Sequence, residues 1–199
     1  RDLRMSRGLG DVYKRQLLYS AAFLLAELMM LFILKANHFY PFGTKSMLIM
    51  DMRDQNVEFL ASLRSMIHGD NSLFFSWARS MGGNYMGVFA FYISSPLSFL
   101  TLLFPVSKMP VAIEIITVLK IGLCSLTFVI YANYLRRKYN GQRYFALLLP
   151  AIGYAFMSYT MVYSLSIMWL DGVIFLPLVL LGAEKILDGK RCLLYTSDA

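Results

Sequence analysis

The stretch "MLIMDMRDQNVEFLASL", residues 47–63, sets Asp51, Arg53 and Asp54 among apolar neighbours. A carboxylate in such a place has two uses. At a helix start it caps a free backbone N–H and complements the helix dipole. In a reaction site it takes a proton from a hydroxyl, provided donors orient it. The residues that follow read as a short amphipathic helix: Val57, Leu60, Leu63 and Met66 or Ile67 fall at three-to-four-residue spacing, and Gly69 is the stop. On residues alone Asp51 and Asp54 are either first-turn acids or catalytic carboxylates. Arg53, Arg64 and Arg79 have the donor geometry to hold a phosphate through paired N–H groups.

Other polar residues stand in stranger company. Glu27, Glu114 and Lys120 lie inside apolar blocks, where charge is costly and usually faces a protein interior. Lys120 suits either a lipid phosphate or an ion pair with Glu27. Asp171, in "IMWLDG", is a second acid for a site or a turn residue before Gly172, and Trp169 beside it suits a membrane interface. "SMGGNYMG", residues 80–87, lacks the Lys-Ser/Thr pair of a phosphate loop and is not expected to follow a strand. It reads as a flexible turn, with Asn84 and Tyr85 as candidate ligand contacts. His38 and His68 have no cysteine partner or helical spacing, and Cys124 and Cys192 suggest neither disulfide nor metal set. No metal and no cofactor are expected.

The elements that must position these residues follow from hydropathy. The chain of 199 residues is 58% hydrophobic and only 16% charged, and its apolar residues come in long blocks. Such blocks match a bilayer core of about 30 Å at about 1.5 Å per residue. The class is all-α, a polytopic transmembrane helical bundle with about four spans and one re-entrant or interfacial segment. The spans are residues 17–34, 113–135, 144–166 and 173–187. Val88–Pro105 is the interrupted segment, because Pro96 follows two serines and breaks the helical hydrogen-bond ladder. The net charge of +7 is concentrated beside apolar blocks, as cytoplasmic flanks are, so nucleic acid is not an expected partner. Arg136, Arg137, Lys138 and Arg143 are separated from Lys185, Lys190 and Arg191 by two blocks, which puts both clusters inside. The loop 35–92 is then extracytoplasmic, in a multi-pass membrane protein.

Both termini read differently from the rest. "RMSRGLGDVYKRQ" and "CLLYTSDA" resemble translated sequencing-adapter read-through. Residues 1–16 are expected to be a non-native leader and 192–199 a non-native tail, leaving 17–191 as an N-terminal fragment of a longer protein.

The order of features resembles the YfhO family of bacterial membrane proteins, within the GT-C-like membrane glycosyltransferases. The resemblance is carried by an opening span, the external pair Asp51 and Gln55, then "FFSWARSMGGNYMGVFAFYISSPLSFLTLLFP", "YAFMSYTMVY" and "IMWLDGVIFLPLVLL". It implies a GT-C-like N-terminal part and transfer of a sugar from a polyprenyl-phosphate carrier to an extracytoplasmic envelope polymer such as lipoteichoic acid. It implies Asp51 as the essential acid of the first external loop, with Asp54 second. Gln55, Arg53, Arg79, Asn84, Asp171 and Lys120 are the expected substrate contacts. The partners would be a lipid-linked sugar donor, the acceptor polymer and membrane lipids. Two other classes compete: a transporter or flippase of a lipid-linked intermediate, and a membrane scaffold without chemistry. Charged residues and Pro150 and Pro177 in apolar blocks speak for the transporter, the lack of an internal repeat against it.

Overall fold

The structure, a computed structural model, describes residues 2–69, 72–77, 81–141 and 143–189, with side chains from residue 11 onward. Among these the architecture is all-α apart from one two-stranded hairpin. The elements in order are α1 (Asp2–Ala36), α2 (Val57–Ile67), β1 (Phe75–Ser76), β2 (Gly83–Asn84), α3 (Met86–Val88), α4 (Met109–Lys138), α5 (Leu148–Ala155), α6 (Ser158–Val162) and α7 (Trp169–Leu187). Residue 1 and the expected tail 192–199 lie outside the described residues.

Among the described residues two helices are long and apolar enough to cross a membrane, Asp11–Ala36 and Val106–Lys138. Two further stretches reach that length only as bent pairs. Met86–Ile93 and Pro96–Leu103 meet at 96°, Phe145–Ala155 and Ser158–Leu165 at 44°. The first bend falls where the sequence places it. Ser95 is extended (φ −62°, ψ 132°) and Pro96 opens a 3₁₀ helix, as the ring of a proline forces on the residue before it. The second does not fall at Pro150, which lies near the start of α5; the helix instead ends at Phe156. Pro177 stays inside an unbroken α7. That helix is apolar in its middle but carries Asp171 in its first turn and Glu184 and Lys185 near its end, so its hydrocarbon-compatible stretch is shorter than its length.

The chain divides into two compact units. One takes α1 up to Met29, Ile121–Thr160 and the chain from Gly172 onward. Its core is Leu18, Ala22, Val129 and Ala151, all fully buried. Small residues let its helices approach: a Cβ on Gly122 would stand 2.8 Å from the Phe23 ring and 2.9 Å from Glu27 Cγ. Glu27 therefore lies against α4. Phe128 stacks on Tyr154 at 4.8 Å, and the Tyr154 hydroxyl donates to Val173 O at 2.8 Å. At the basic end of α4, Lys138 Nζ meets Glu184 at 2.6 Å and Asp188 at 2.8 Å.

The other unit, Met30–Lys120 with Met161–Asp171, holds most of the residues singled out by their chemistry. Met109, Ala112, Ile113, Ile116 and Thr117 of α4 are buried in it. So are Leu60 and Leu63 of α2, whereas Ile67, at the same periodicity, is half exposed. The helix stops as expected at Gly69, whose φ of +87° is a conformation open to glycine.

Candidate functional site

Met50 has φ +48° and its carbonyl accepts the N–H groups of Arg53 and Asp54, both at 3.0 Å. A left-handed methionine is unfavourable by about 1–2 kcal/mol, and such backbone concentrates where geometry serves a site. The helix then opens with a π turn, Met52–Asn56, before α2. Asp51 occupies the N-cap position without a side-chain capping hydrogen bond. Its exposed carboxylate instead receives Gln55 Nε2 at 3.3 Å. The capping role open to Asp51 in the sequence is thus not the one its side chain performs.

Arg53 turns to its neighbour: Nε reaches Asp54 Oδ1 at 2.7 Å and the guanidinium reaches Oδ2 at 3.4 Å. The guanidinium hydrogen bond holds the Asp54 carboxyl below the ordinary carboxylate range, and Asp54 raises Arg53 in return. A lowered carboxyl contributes stability above its unfolded value and loses it as pH falls through the folded one. Both side chains are largely solvated, so this surface pair does little for stability.

A second polar cluster centres on Lys120. Lys120, 1% exposed, places Nζ 2.7 Å from Asp171 Oδ2 and 2.8 Å from Ile167 O. Ser95, at the sharp bend, donates from Oγ to Asp171 Oδ1 at 3.0 Å. Asp171 is thus a built partner at the start of α7, and the lysine's ion pair is with it rather than with Glu27. Glu114 is buried too, with the Met47 backbone amide directed at it.

Asn56 binds the two regions to one segment. Its buried amide donates to Asp51 O at 3.4 Å and to Leu165 O at 3.3 Å. Residues 165–171 thereby receive Asn56, Lys120 and Ser95 in turn. Neither Asn56 nor Ser95 stood out by type; the partners that give them meaning are 109 and 76 residues away in sequence.

The remaining expected contacts are distributed as follows. Arg64 donates from one guanidinium nitrogen to Leu102 O at 2.8 Å and Phe104 O at 3.0 Å, closing the end of the 96–103 helix. Asn84 Oδ1 accepts the Met86 N–H at 2.8 Å. Tyr85 is buried, hydrogen-bonded to Ser62 and to Phe59 O at 3.2 Å, so it ties chain segments together instead of facing a sugar. Burial pushes its phenol above the ordinary value, against the opposing effect of Ser62. A strand does precede the glycine pair: β1 runs antiparallel to β2, with Phe75 opposite Asn84 and Ser76 opposite Gly83. Arg79 lies outside the described residues.

Residues 21–197 match the family model described as bacterial membrane protein YfhO. The chain belongs to the YfhO family. No curated protein and no solved structure matches it. Membership agrees with the membrane-length apolar helices of α1 and α4 and places the chain in a bacterial membrane.

Proposed function

We propose that this chain is part of a GT-C-like membrane glycosyltransferase that moves a sugar from a polyprenyl-phosphate carrier to an extracytoplasmic envelope polymer such as lipoteichoic acid. The observation that carries this reading is the exposed Asp51 carboxylate, left uncapped beside a left-handed residue and oriented by Gln55. Asp51 would take the proton of an acceptor hydroxyl, whose oxygen attacks the anomeric carbon while the carrier phosphate departs with the bonding electrons. Asp54, already paired with Arg53, is the weaker candidate for this step. Arg53 and Arg79 are proposed to meet the carrier phosphate, and Gln55 and Asn84 the sugar. Lys120 and Asp171 enter as a pair, Nζ to Oδ2 at 2.7 Å, that holds the site's framework. The basic residues Arg136, Arg137 and Lys138, and Lys185, Lys190 and Arg191 in the sequence, support a cytoplasmic side for both flanks, with Asp51 proposed to lie on the outer face of a multi-pass protein.

The test is sugar transfer from a purified lipid-linked donor by the reconstituted protein. Asp51→Asn should lower turnover by about a hundredfold or more, the scale of a lost general base, while Asp54→Asn retains most of it. Equal activity of Asp51→Asn and the parent protein would remove the mechanism. A carrier of lipid-linked intermediates is the second reading, favoured by an ion pair inside apolar helices next to a 96° bend. Movement of the donor across the bilayer without sugar transfer would decide for it.

A further inference from the structure

The hairpin that precedes α3 carries an unusual load. Phe74 is 71% exposed, Trp77 78% and Met81 95%, and Phe75 is also exposed. Phe75 and Trp77, two apart along a strand direction, project to one face, and their rings meet edge-on with centroids 5.0 Å apart. The seat for those rings is Gly82. Its φ is +101°, and a Cβ there would stand 2.8 Å from the Phe75 ring and 3.2 Å from that of Trp77. Both the backbone conformation and the space thus require glycine. The rings are held against the opposite strand and still present their outer surfaces.

We propose that this hairpin is a membrane-surface anchor whose aromatic face enters the lipid head-group layer. Chain continuity is the first support. The hairpin's second strand ends at Asn84, and the apolar bent pair begins at Met86, so only Tyr85 separates the strand from hydrocarbon-compatible chain. Tyr85 is itself fixed to α2 through Phe59 O and Ser62, so the hairpin cannot swing freely from that point. Chemistry is the second support. Tryptophan suits the boundary between head groups and acyl chains, and a contiguous exposed apolar patch needs a covering partner. A sugar would need polar groups beside the rings to read its hydroxyls. The described side chains that make this ring pair, Phe75 and Trp77, are apolar. The anchor stands independently of any sugar-transfer activity.

The chain has two tryptophans, so Trp169→Phe leaves Trp77 as the sole indole reporter. The full chain carrying that change is reconstituted in phosphatidylcholine–phosphatidylglycerol vesicles. The expected result is blue-shifted emission, quenched more by lipids brominated near the head group than by lipids brominated near the chain end. Water-like emission that neither lipid quenches overturns the proposal, as does strongest quenching from the chain end. A response to free glucose or N-acetylglucosamine without lipid quenching overturns it in favour of a sugar platform. Gly82→Val in the same background, checked for parental helix content by circular dichroism, should unseat the rings and weaken the shallow quenching. Unchanged quenching in that folded variant overturns the assigned seat.

Discussion

A lysine amino group at 1% exposure persists in α4 because Asp171 and Ile167 O meet it at hydrogen-bond distance. Removing one partner leaves a buried charge uncompensated, whereas replacing both with apolar residues of similar volume removes the problem. Lys120→Met is therefore expected to destabilise by about 3 kcal/mol, near the low end for such pairs because Asp171 retains some solvent. Adding Asp171→Leu should restore much of that loss. Thermal unfolding in detergent of the single and double variants measures the coupling, and additive effects would show that the pair is not an energetic unit. The same residue scale shows where sequence reading ran out. Lys120 and Asp171 were each conspicuous, but they are separated by 51 positions. Spacing cannot report a contact that only packing creates. Asn56 is a stronger case, since an asparagine in an amphipathic helix draws no notice until Leu165 O is found beside it.

At the scale of elements, local rules succeeded where a local cause was sufficient. Ser-Ser-Pro predicts a break in an apolar run, and the chain turns there by 96°. Gly69 ends α2 because its φ is positive. Pro150 and Pro177 leave their helices unbroken, because proline breaks a helix only where its missing N–H and its ring matter in context. One lies near a helix start and the other is accommodated within α7. The short hairpin was not legible, since two residues per strand carry too little alternation to register. Close helix approach is likewise a property of pairs. Gly122→Leu should destabilise by about 1–3 kcal/mol, because the added side chain must displace Phe23 and Glu27. A Gly122→Ala intermediate in the same unfolding series should lie between the two, and wild-type stability in Gly122→Leu would refute the close contact.

At the scale of the whole molecule, the orientation of the Asp51 loop decides what chemistry it can meet. Glu58 is exposed on α2, so Glu58→Cys in a protein with Cys124→Ser and Cys192→Ser is a clean reporter. A membrane-impermeant maleimide should label it in intact cells; labelling only after permeabilisation would place the loop in the cytoplasm and end the sugar-transfer proposal. Amino-acid order alone determined that the chain is helical, apolar in membrane-length blocks and interrupted at Pro96, because these follow from hydropathy and backbone sterics among near neighbours. Tertiary structure decided that Lys120 belongs to Asp171, that Asn56 joins the Asp51 turn to the 165–171 segment, and that Arg64 closes a helix end. Those outcomes depend on which distant groups share a low-dielectric interior, where every buried donor and charge must find a partner.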